Sequence, residues 1–499
     1  MTADLYFEDE RIPGDVVEDR ARRLAGGLAG LGVDDGDVIA VMLRNSPAFI
    51  DAIMACQTAG CFYCPINWHF KASEAGYLLE DSRAKALMIE ADLHDEIASA
   101  IPAGVTVLVV ADGQAGDSAP PAPAIDYESW LAQQTVYDGP ARTPRGHMAY
   151  TSGTTGRPKG VRRHAPSADQ AEAQREKMLA MVETAWGVRP GVRVLVAAPL
   201  YHSAPSSVAQ QGMLQGEAFV LAPRFDAEQT LALIERYRID TAFLVPIMFV
   251  RLLRLPQSVR ERYDISSIRF VASTGAPCPP QVKREMLDWW GEVIYETYAS
   301  SETGMITIQS PEHARRKPAS VGPPLGDAVI RILDESGRDC AIEEAGLIYC
   351  HQPAITDFTY QNRDADRASA GRDGLVTVGD IGYLDADGDL YMCDRSSDLV
   401  ISGGVNIYPA EVENTLMSLP GIADCAVFGV TDAEYGQSLV ATVCVDKSQG
   451  WTEAALRERL REMIAAYKVP RVIALVDELA RDDNGKIAKH RLKQQWEAR

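Results

Sequence analysis

The stretch Tyr150-Thr-Ser-Gly-Thr-Thr-Gly-Arg-Pro-Lys-Gly160 is the most informative segment of the chain, because it places four hydroxyl side chains and three glycines around Lys159. Glycines let a backbone curl so that N–H groups converge on an anion, and Ser and Thr hydroxyls add donors. The run follows an apolar strand end, which favours a phosphate-binding loop over a flexible surface loop. It lacks the G-x-x-x-x-G-K-[ST] pattern, which argues against a simple P-loop kinase or GTPase.

Apolar residues on both sides of this loop alternate between helical and strand spacing. The pattern predicts helices at 16–31, 48–60, 72–81 and 227–237, and strands at 38–43, 61–64, 86–89, 105–110, 194–198, 241–245 and 268–273. Strands that alternate with helices are typical of doubly wound parallel sheets.

The pattern of apolar residues changes after about residue 320. Short alternating strands at 329–332 and 390–392, with Gly and Asp turns between them, predict an antiparallel sheet or a small β-barrel. The last block has strand patterns at 426–430 and 440–445 and a helical pattern at 453–466. We therefore predict an α/β protein with a large N-terminal domain, residues 1–394, of doubly wound sheets and a small β-barrel. A small α+β C-terminal domain, residues 395–499, follows it.

Composition limits the classes of partner. The 499 residues are 46% hydrophobic and 24% charged, as in ordinary globular proteins, and the net charge of −21 argues against nucleic acid and anionic membranes. No run reaches the ~20 apolar residues of a membrane helix, and no basic-then-apolar leader is visible. Nine scattered cysteines indicate reduced thiols, and Cys61 and Cys64 are expected to be buried side chains. We predict a cytoplasmic protein without integral membrane association, and we leave a homodimer open.

Seven further segments, in order, resemble the motifs of one superfamily. They are Pro199-Leu-Tyr-His-Ser203, Ser273-Thr-Gly-Ala-Pro277, the segment YETYASSETG at 295–304, Val378-Gly-Asp-Ile-Gly382, Asp394-Arg395, Ser402-Gly-Gly-Val-Asn-Ile-Tyr-Pro409 and Asn484-Gly-Lys-Ile487. With the phosphate loop, they resemble the AMP-forming acyl-CoA synthetase, adenylation-domain and luciferase superfamily. Within it the chain is similar to bacterial fatty-acid or bile-acid-type CoA ligases.

The resemblance implies that ATP activates a carboxylic acid as acyl-AMP, releasing pyrophosphate, and that coenzyme A then takes the acyl group. It implies Lys486, Glu302 and His202 as catalytic residues, and Mg²⁺ held by Glu302 with Thr154. The ATP-binding residues that it implies are Thr151, Ser152, Gly153, Thr154, Thr155, Gly156, Lys159, Gly275, Ala276, Pro277, Glu296, Thr297, Tyr298, Ser301, Asp380 and Arg395.

For the second step, the resemblance implies a mobile C-terminal domain that rotates about a hinge at Ser397 and brings Gly403 and Gly404 to the pantetheine of coenzyme A. The acyl pocket would be lined by His202, Ser203, Gln211, Val245, Met248, Gly275, Ala299 and Met305.

These pocket residues are mostly apolar, with no arginine placed to meet a second carboxylate. They favour a hydrophobic monocarboxylic acid, aliphatic or bulky and ring-bearing, and a benzoate- or cinnamate-type aryl acid is the close alternative. A second alternative is a stand-alone adenylation enzyme that loads the pantetheine of a carrier protein.

Overall fold

The computed structural model describes residues 2–111, 124–151, 157–167, 169–402, 405–432, 434–481, 487 and 489–497. Its strands are β1 Asp4–Phe7, β2 Glu10–Ile12, β3 Val38–Met42, β4 Phe62–Pro65, β5 Ala86–Glu90, β6 Thr106–Val110, β7 Ile125–Asp126, β8 Tyr150–Thr151, β9 Lys159–Arg163, β10 Arg193–Val196, β11 Ala218–Leu221, β12 Thr241–Phe243, β13 Phe270–Ser273, β14 Ile294–Glu296, β15 Ala299–Ser300, β16 Gly304–Met305, β17 Val329–Leu333, β18 Gly346–His351, β19 Phe358–Tyr360, β20 Gly371–Arg372, β21 Leu375–Val376, β22 Asp380–Leu384, β23 Leu390–Arg395, β24 Val400–Ser402, β25 Val405–Ile407, β26 Ile422–Asp432, β27 Gly436–Val445 and β28 Val472–Val476. Its α-helices are α1 Gly14–Gly30, α2 Pro47–Ala59, α3 Ala72–Ser82, α4 Ala91–Ile97, α5 Tyr127–Leu131, α6 Ala171–Trp186, α7 Ser203–Gln215, α8 Ala227–Tyr237, α9 Pro246–Leu253, α10 Gln257–Arg260, α11 Pro280–Trp290, α12 Pro311–Arg316, α13 Asp364–Ala370, α14 Pro409–Met417, α15 Glu453–Met463 and α16 Lys489–Glu497.

A seven-stranded sheet in the order β14-β13-β12-β10-β11-β1-β2 forms the largest layer. All its neighbouring strands are parallel except β1 and β2. The short strands β10 to β13 are almost entirely buried, as expected of parallel strands covered on both faces. Because the strands run parallel, the carboxyl ends of β12, β13 and β14 lie side by side at one edge of the sheet.

A second parallel sheet, in the order β4-β3-β5-β6-β7, packs beside the first. Helix α2 is buried along most of its length and packs against both α1 and α7, which ties this sheet to the larger one. Local sequence sets the helix ends: Pro47 begins α2, and Gly60 ends it in the left-handed conformation, with a φ of 66°.

Antiparallel pairing dominates from residue 329 to 395. Strands β20, β21, β18, β22 and β23 form an antiparallel sheet to which β17 is added through β18. The three-stranded sheet β19-β9-β8 contains β9, the strand that follows the predicted phosphate loop. Residues 150–151 and 159–163 therefore lie in one sheet with residues 358–360, which are distant in sequence.

The last block forms its own layer. Strands β25-β24-β27-β26, with β28 parallel to β27, make a five-stranded sheet that packs its buried face against α14 and α15. The α/β class, the large N-terminal sheet domain and the smaller C-terminal α+β unit that the sequence predicts are confirmed.

The described helices and strands follow the predicted segments closely, with one informative difference. The apolar run predicted as a strand at 241–245 ends its strand at Phe243, because Pro246 starts helix α9 immediately afterwards. Cys61 and Cys64 are fully buried free thiols, as predicted. Among the described helices, none combines the length and apolar character that crossing a bilayer requires.

Candidate functional site

A cleft of about 2720 Å³ lies where the carboxyl ends of the parallel strands meet the C-terminal elements. Such crevices beyond the carboxyl ends of parallel strands are the usual ligand sites of α/β folds. The cleft brings together most of the predicted site residues that the structure describes: Thr151, Lys159, His202, Val245, Gly275, Ala276, Pro277, Glu296, Thr297, Tyr298, Ala299, Ser301, Glu302, Met305, Asp380, Arg395 and Ser397.

Gly275 forms the turn that follows β13. Its φ of +94° lies in the left-handed region, and the nearest atom to an added Cβ would be Val245 Cγ1 at 4.0 Å. Space would therefore admit a side chain, whereas the backbone conformation favours glycine. The turn is held from below by Glu296, whose Oε1 accepts the Cys278 N–H at 2.8 Å.

Glu296 itself is a supporting residue. Its carboxylate forms a buried ion pair with Lys283, and both side chains are almost fully enclosed. Lys283 also donates to the Pro318 carbonyl at 3.0 Å. A buried ion pair with additional hydrogen bonds is satisfied internally. Glu296 therefore lies behind the turn and holds the main chain at Cys278, which lines the cleft.

Two buried hydroxyls border this turn. Ser273 Oγ and Thr297 Oγ1 are enclosed and have no hydrogen-bond partner among the described residues. Their backbones are paired, since the Thr297 N–H donates to the Ser273 carbonyl at 2.9 Å. Buried polar groups are normally satisfied, and of these two residues Thr297 lines the cleft, so its unpartnered hydroxyl indicates a polar ligand there.

Tyr298, Asp380 and Arg395 form a hydrogen-bonded chain along one wall. Tyr298 Oη donates to Asp380 Oδ2 at 2.7 Å, and Arg395 Nε lies 3.3 Å from Asp380 Oδ1. Burial and the nearby carboxylate raise the pKa of Tyr298 well above its ordinary value, so the phenol stays protonated and donates. Asp380 is buried, whereas Arg395 is largely exposed at the cleft rim.

Glu302 lines the same cleft, beside strand β8. Its Oε1 accepts hydrogen bonds from Thr151 Oγ1 at 3.0 Å and from Tyr360 Oη at 3.2 Å. Oxygen ligands of this kind, a carboxylate with neighbouring hydroxyls, are what Mg²⁺ prefers. The donor set therefore fits a magnesium ion held by Glu302.

Arg163, at the end of β9, supports the Glu302 segment from behind. Its Nη2 donates to the carbonyls of Ser301 at 2.6 Å and Glu302 at 3.1 Å, and its Nη1 donates to the Thr356 carbonyl at 2.9 Å. Burial lowers the pKa of Arg163 to about 10, although the carboxylates of Glu302 and Asp357 act in the opposite direction. This guanidinium remains charged at neutral pH and fixes three main-chain carbonyls.

Lys159, the lysine of the predicted phosphate loop, is nearly enclosed. Its Nζ is 2.9 Å from Asp366 Oδ2 on α13 and 5.2 Å from the centre of the Tyr360 ring. The ammonium group therefore lies between an aromatic face and a carboxylate, within the same cleft.

The apolar end of the cleft lies between α6, α7 and the start of α9. Besides Val245 and Met305, its lining includes Met178, Val182, Ser203, Gln211, Ile247 and Ile355. Ser203 Oγ lies 2.8 Å from Ser301 Oγ, which joins this end to the Glu302 wall. Met248 was predicted to line the acyl pocket, but it is fully buried in the core and does not line the cleft. It lies one position after Ile247 on helix α9, and its side chain therefore points in a different direction.

His202 caps the start of α7, and its ring lies 4.3 Å from that of Tyr201. A second histidine lines the same cleft. His147 Nδ1 is 3.4 Å from Ser207 Oγ on α7. Burial, together with the positive charge of Arg163, lowers the pKa of His147 to about 4, so the ring is neutral at pH 7.

The C-terminal elements close the cleft at Ala480, Arg481, Ile487 and Lys489. Lys489 Nζ pairs with Glu413 Oε1 at 2.9 Å, and Arg254, directly after α9, donates to the Ala423 carbonyl at 2.5 Å. Ser397 is an exposed residue between β23 and β24. The predicted residues Ser152, Gly153, Thr154, Thr155, Gly156, Gly403, Gly404 and Lys486 lie outside the described residues.

The sequence did not single out Arg163, Tyr360 or Asp366. Arg163 lies four positions after Lys159 on β9, and this even spacing places both side chains on one side of the strand. The spacing could have identified Arg163 from the sequence. Tyr360 and Asp366 reach the site only through the pairing of β19 with β9, which joins residues about 200 positions apart.

Comparison with known proteins agrees with this site. The sequence model of the AMP-binding enzyme family matches residues 3–358, and that of the AMP-binding enzyme C-terminal domain matches residues 411–486. The chain is 33% identical over 477 residues to a 2-succinylbenzoate–CoA ligase of Bacillus licheniformis, covering 95% of this chain and 92% of the relative. It is 32% identical over 480 residues to a feruloyl-CoA synthase of Amycolatopsis, covering 96% and 92%.

Among solved structures, the o-succinylbenzoate CoA synthetase of Bacillus subtilis in complex with its acyl-adenylate intermediate superposes with a TM-score of 0.78 at 28% identity. The match covers 98% of this chain and 95% of that one. The chain belongs to the AMP-binding enzyme family. The expectation of an adenylate-forming acid–thiol ligase is confirmed.

Proposed function

We propose that this protein is an aryl-acid–CoA ligase, which converts an aromatic carboxylic acid, ATP and coenzyme A into an aryl-CoA thioester, AMP and pyrophosphate. The observation that carries the proposal is the arrangement of one cleft. A lysine and a carboxylate suited to a metal-bound triphosphate, Lys159 and Glu302, face an apolar pocket, and the Tyr298–Asp380 pair lies alongside.

The nucleotide would bind along the carboxyl ends of β13 and β14. Asp380 would accept hydrogen bonds from the ribose hydroxyls, and the Tyr298 ring would contact the adenine face. The unpartnered hydroxyl of Thr297, which lines the cleft, would meet a polar atom of the base. Thr151 and Lys159 would bind the β- and γ-phosphates, together with Ser152 to Gly156.

Activation needs positioning and charge stabilisation. A carboxylate is already ionised at pH 7, so its oxygen can attack the α-phosphorus without a general base. The bond to pyrophosphate then breaks. Mg²⁺ held by Glu302 would supply positive charge to the phosphates. Arg163 would hold Glu302 in place through the main chain, and Lys486 would bring its ammonium group to the α-phosphate.

In the second step, the coenzyme A thiolate would attack the acyl carbonyl carbon, and AMP would leave with the oxygen that came from the acid. We propose that residues 395–499 rotate about Ser397 between the two steps, and that Gly403 and Gly404 then line the pantetheine path. Ser397 is exposed between two strands, as a hinge residue requires.

The aromatic class of acid is supported by the pocket and by the relatives. Met178, Val182, Val245, Ile247 and Met305 offer broad apolar surfaces for a flat ring. Two of the relatives are named for 2-succinylbenzoate and ferulate, both aromatic. We therefore place the aryl acid ahead of the aliphatic or bulky ring-bearing monocarboxylic acid that the sequence favoured, and we do not propose a role in fatty acid metabolism.

A panel assay tests the proposal. Purified protein is incubated with ATP, Mg²⁺ and coenzyme A, and with matched acids: benzoate, cinnamate, ferulate, 2-succinylbenzoate and indoleacetate against octanoate and hexadecanoate. Release of AMP and formation of the thioester are followed together. We expect the highest kcat/KM with an aromatic acid. Preference for the aliphatic acids by tenfold or more would contradict the substrate class.

Two controls separate the remaining functions. Omission of coenzyme A should stop turnover after one equivalent of acyl-AMP, whereas adenylation unaffected by coenzyme A would indicate a carrier-protein acceptor. Lys486→Ala should lose acyl-AMP formation, while Lys447→Ala, at an exposed lysine that does not line the cleft, should retain it.

A further inference from the structure

The lysine of the phosphate loop already has an anionic partner in this chain. Lys159 Nζ lies 2.9 Å from Asp366 Oδ2, the side chain of Lys159 is 11% exposed, and that of Asp366 is 36% exposed. Lys159 begins β9, and Asp366 is the third residue of α13. The strand pairing of β9 with β19 brings the two elements together.

The carboxylate of Asp366 has a second cation within reach. Arg363 Nη1, three residues earlier, lies 3.8 Å from the same Oδ2 atom. If the ion pair with Lys159 breaks, the Asp366 carboxylate therefore still lies near the positive charge of Arg363. The hydrogen bond from Lys159 lowers the pKa of Asp366, and the carboxylate is ionised throughout the neutral range.

We propose that Asp366 is an internal anion that competes with the polyphosphate of ATP for Lys159, and so sets the affinity of the site for triphosphate. This inference rests on the proposed function, in which Lys159 binds the β- or γ-phosphate. A phosphate that approaches Nζ meets a carboxylate already in contact with it. Two anions on one ammonium group repel each other, so the carboxylate must move towards Arg363 as the phosphate arrives.

The competition acts on one end of the nucleotide. AMP has no β- or γ-phosphate, and its binding does not involve Lys159. Asp366 therefore weakens the binding of ATP but leaves that of AMP unchanged. When pyrophosphate departs, Asp366 again neutralises Lys159, which favours release of the product.

Isothermal titration of the full-length protein with ATP and with AMP, in Mg²⁺ and without acid, tests the inference. Asp366→Asn and Asp366→Ser both remove the charge, and we expect the Kd of ATP to fall about tenfold in each while the Kd of AMP stays within twofold. Asp364→Asn is the matched control. It lies on the same helix, bonds to Thr359 and does not touch Lys159, and it should change neither Kd.

The double variant shows whether the effect passes through Lys159. In a Lys159→Ala background, the gain from Asp366→Asn should shrink from about tenfold to about twofold. An unchanged or raised Kd of ATP in both Asp366 variants, with thermal unfolding as in the wild type, would overturn the inference. Equal changes for ATP and AMP would overturn it as well.

The same data separate this inference from the proposed function. Wild-type protein that binds neither nucleotide would overturn both. Binding of ATP that weakens in Lys159→Ala, but does not tighten in the Asp366 variants, would overturn the role of Asp366 alone.

Discussion

Tyr298 donates its phenolic hydrogen to Asp380, with Oη and Oδ2 2.7 Å apart, and this bond joins segments 82 residues apart in sequence. It ties the wall that follows β14 to the start of β22. Asp380 is buried, so its orientation depends on the donors around it, Tyr298 and Arg395. A carboxylate held in this way is prepared to accept two further hydrogen bonds from vicinal hydroxyls.

Replacement of Tyr298 by Phe keeps the ring and removes the bond to Asp380. We expect the KM for ATP to rise about fivefold, with a loss of about 1 kcal/mol in the free energy of unfolding, because one buried acceptor loses a donor. Steady-state kinetics and urea unfolding measure the two effects. Tyr6→Phe, on β1 outside the cleft, is the control. An unchanged KM would mean that Asp380 does not depend on this phenol.

Replacement of Glu302 by Gln preserves shape and removes the negative charge. We expect pyrophosphate release to slow by about 100-fold and the Mg²⁺ concentration for half-maximal rate to rise, since a carboxylate binds the ion more strongly than an amide. Thr151 and Tyr360 can still donate to the amide oxygen, so the melting temperature should hold. Glu312→Gln, on the exposed face of α12, serves as control. A wild-type Mg²⁺ requirement in Glu302→Gln would contradict the assignment.

Arg163 allows a test of positioning without touching the substrates. Arg163→Lys keeps the positive charge but cannot donate to all three carbonyls, and Arg163→Met removes both the charge and the hydrogen-bond donors. We expect kcat to fall about threefold and about 30-fold respectively, with the Mg²⁺ requirement rising in the same order. Arg162→Lys, on the other side of β9, is the matched control. If both Arg163 variants lowered only stability, with Mg²⁺ dependence unchanged, the positioning role would be refuted.

His147 makes stability depend on pH in a defined window. Its pKa is lowered by burial from 6.5 to about 4 in the folded protein. Below pH 6.5 the unfolded chain binds a proton that the folded chain does not, so stability is complete above 6.5 and falls as pH drops towards 4. The full difference amounts to about 3 kcal/mol.

We expect His147→Gln to flatten the stability curve by about that amount between pH 6.5 and 4, in chemical unfolding at a series of pH values. Subtraction of the variant from the wild type removes the contribution of the carboxylates. Parallel curves for the two proteins would show that His147 is not held neutral by the fold.

The sequence was sufficient for the fold and for many of the residues that line the candidate site, for physical reasons that individual residues illustrate. The parallel strands were predictable from their apolar runs, and the Gly275 turn and the Glu302 segment could be placed through motif resemblance. Contacts between distant segments were not predictable. The pair Lys159–Asp366 and the bond between Tyr360 and Glu302 depend on the register of β19 on β9, which no local pattern encodes.

In the acyl pocket, too, the sequence did not predict which of two adjacent residues lines the cleft. Val245 and Met305 line the cleft as predicted positions, whereas Met248 turns into the core, and its neighbour Ile247 lines the cleft in its place. The predicted strand at 241–245 did not indicate which residues of the helix that begins at Pro246 would face the cleft. A helical residue changes its facing with every position, so an early helix start alters which side chain reaches the ligand.

The central claim is that the acid is activated through its own carboxylate oxygen as an adenylate and then transferred to coenzyme A. An aromatic acid labelled with ¹⁸O in both carboxylate oxygens, incubated with ATP, Mg²⁺, coenzyme A and the wild-type protein, tests this directly by mass spectrometry of the products. The account predicts one ¹⁸O atom in AMP and one in the thioester carbonyl. Label that is absent from AMP, with the thioester still formed, would contradict it.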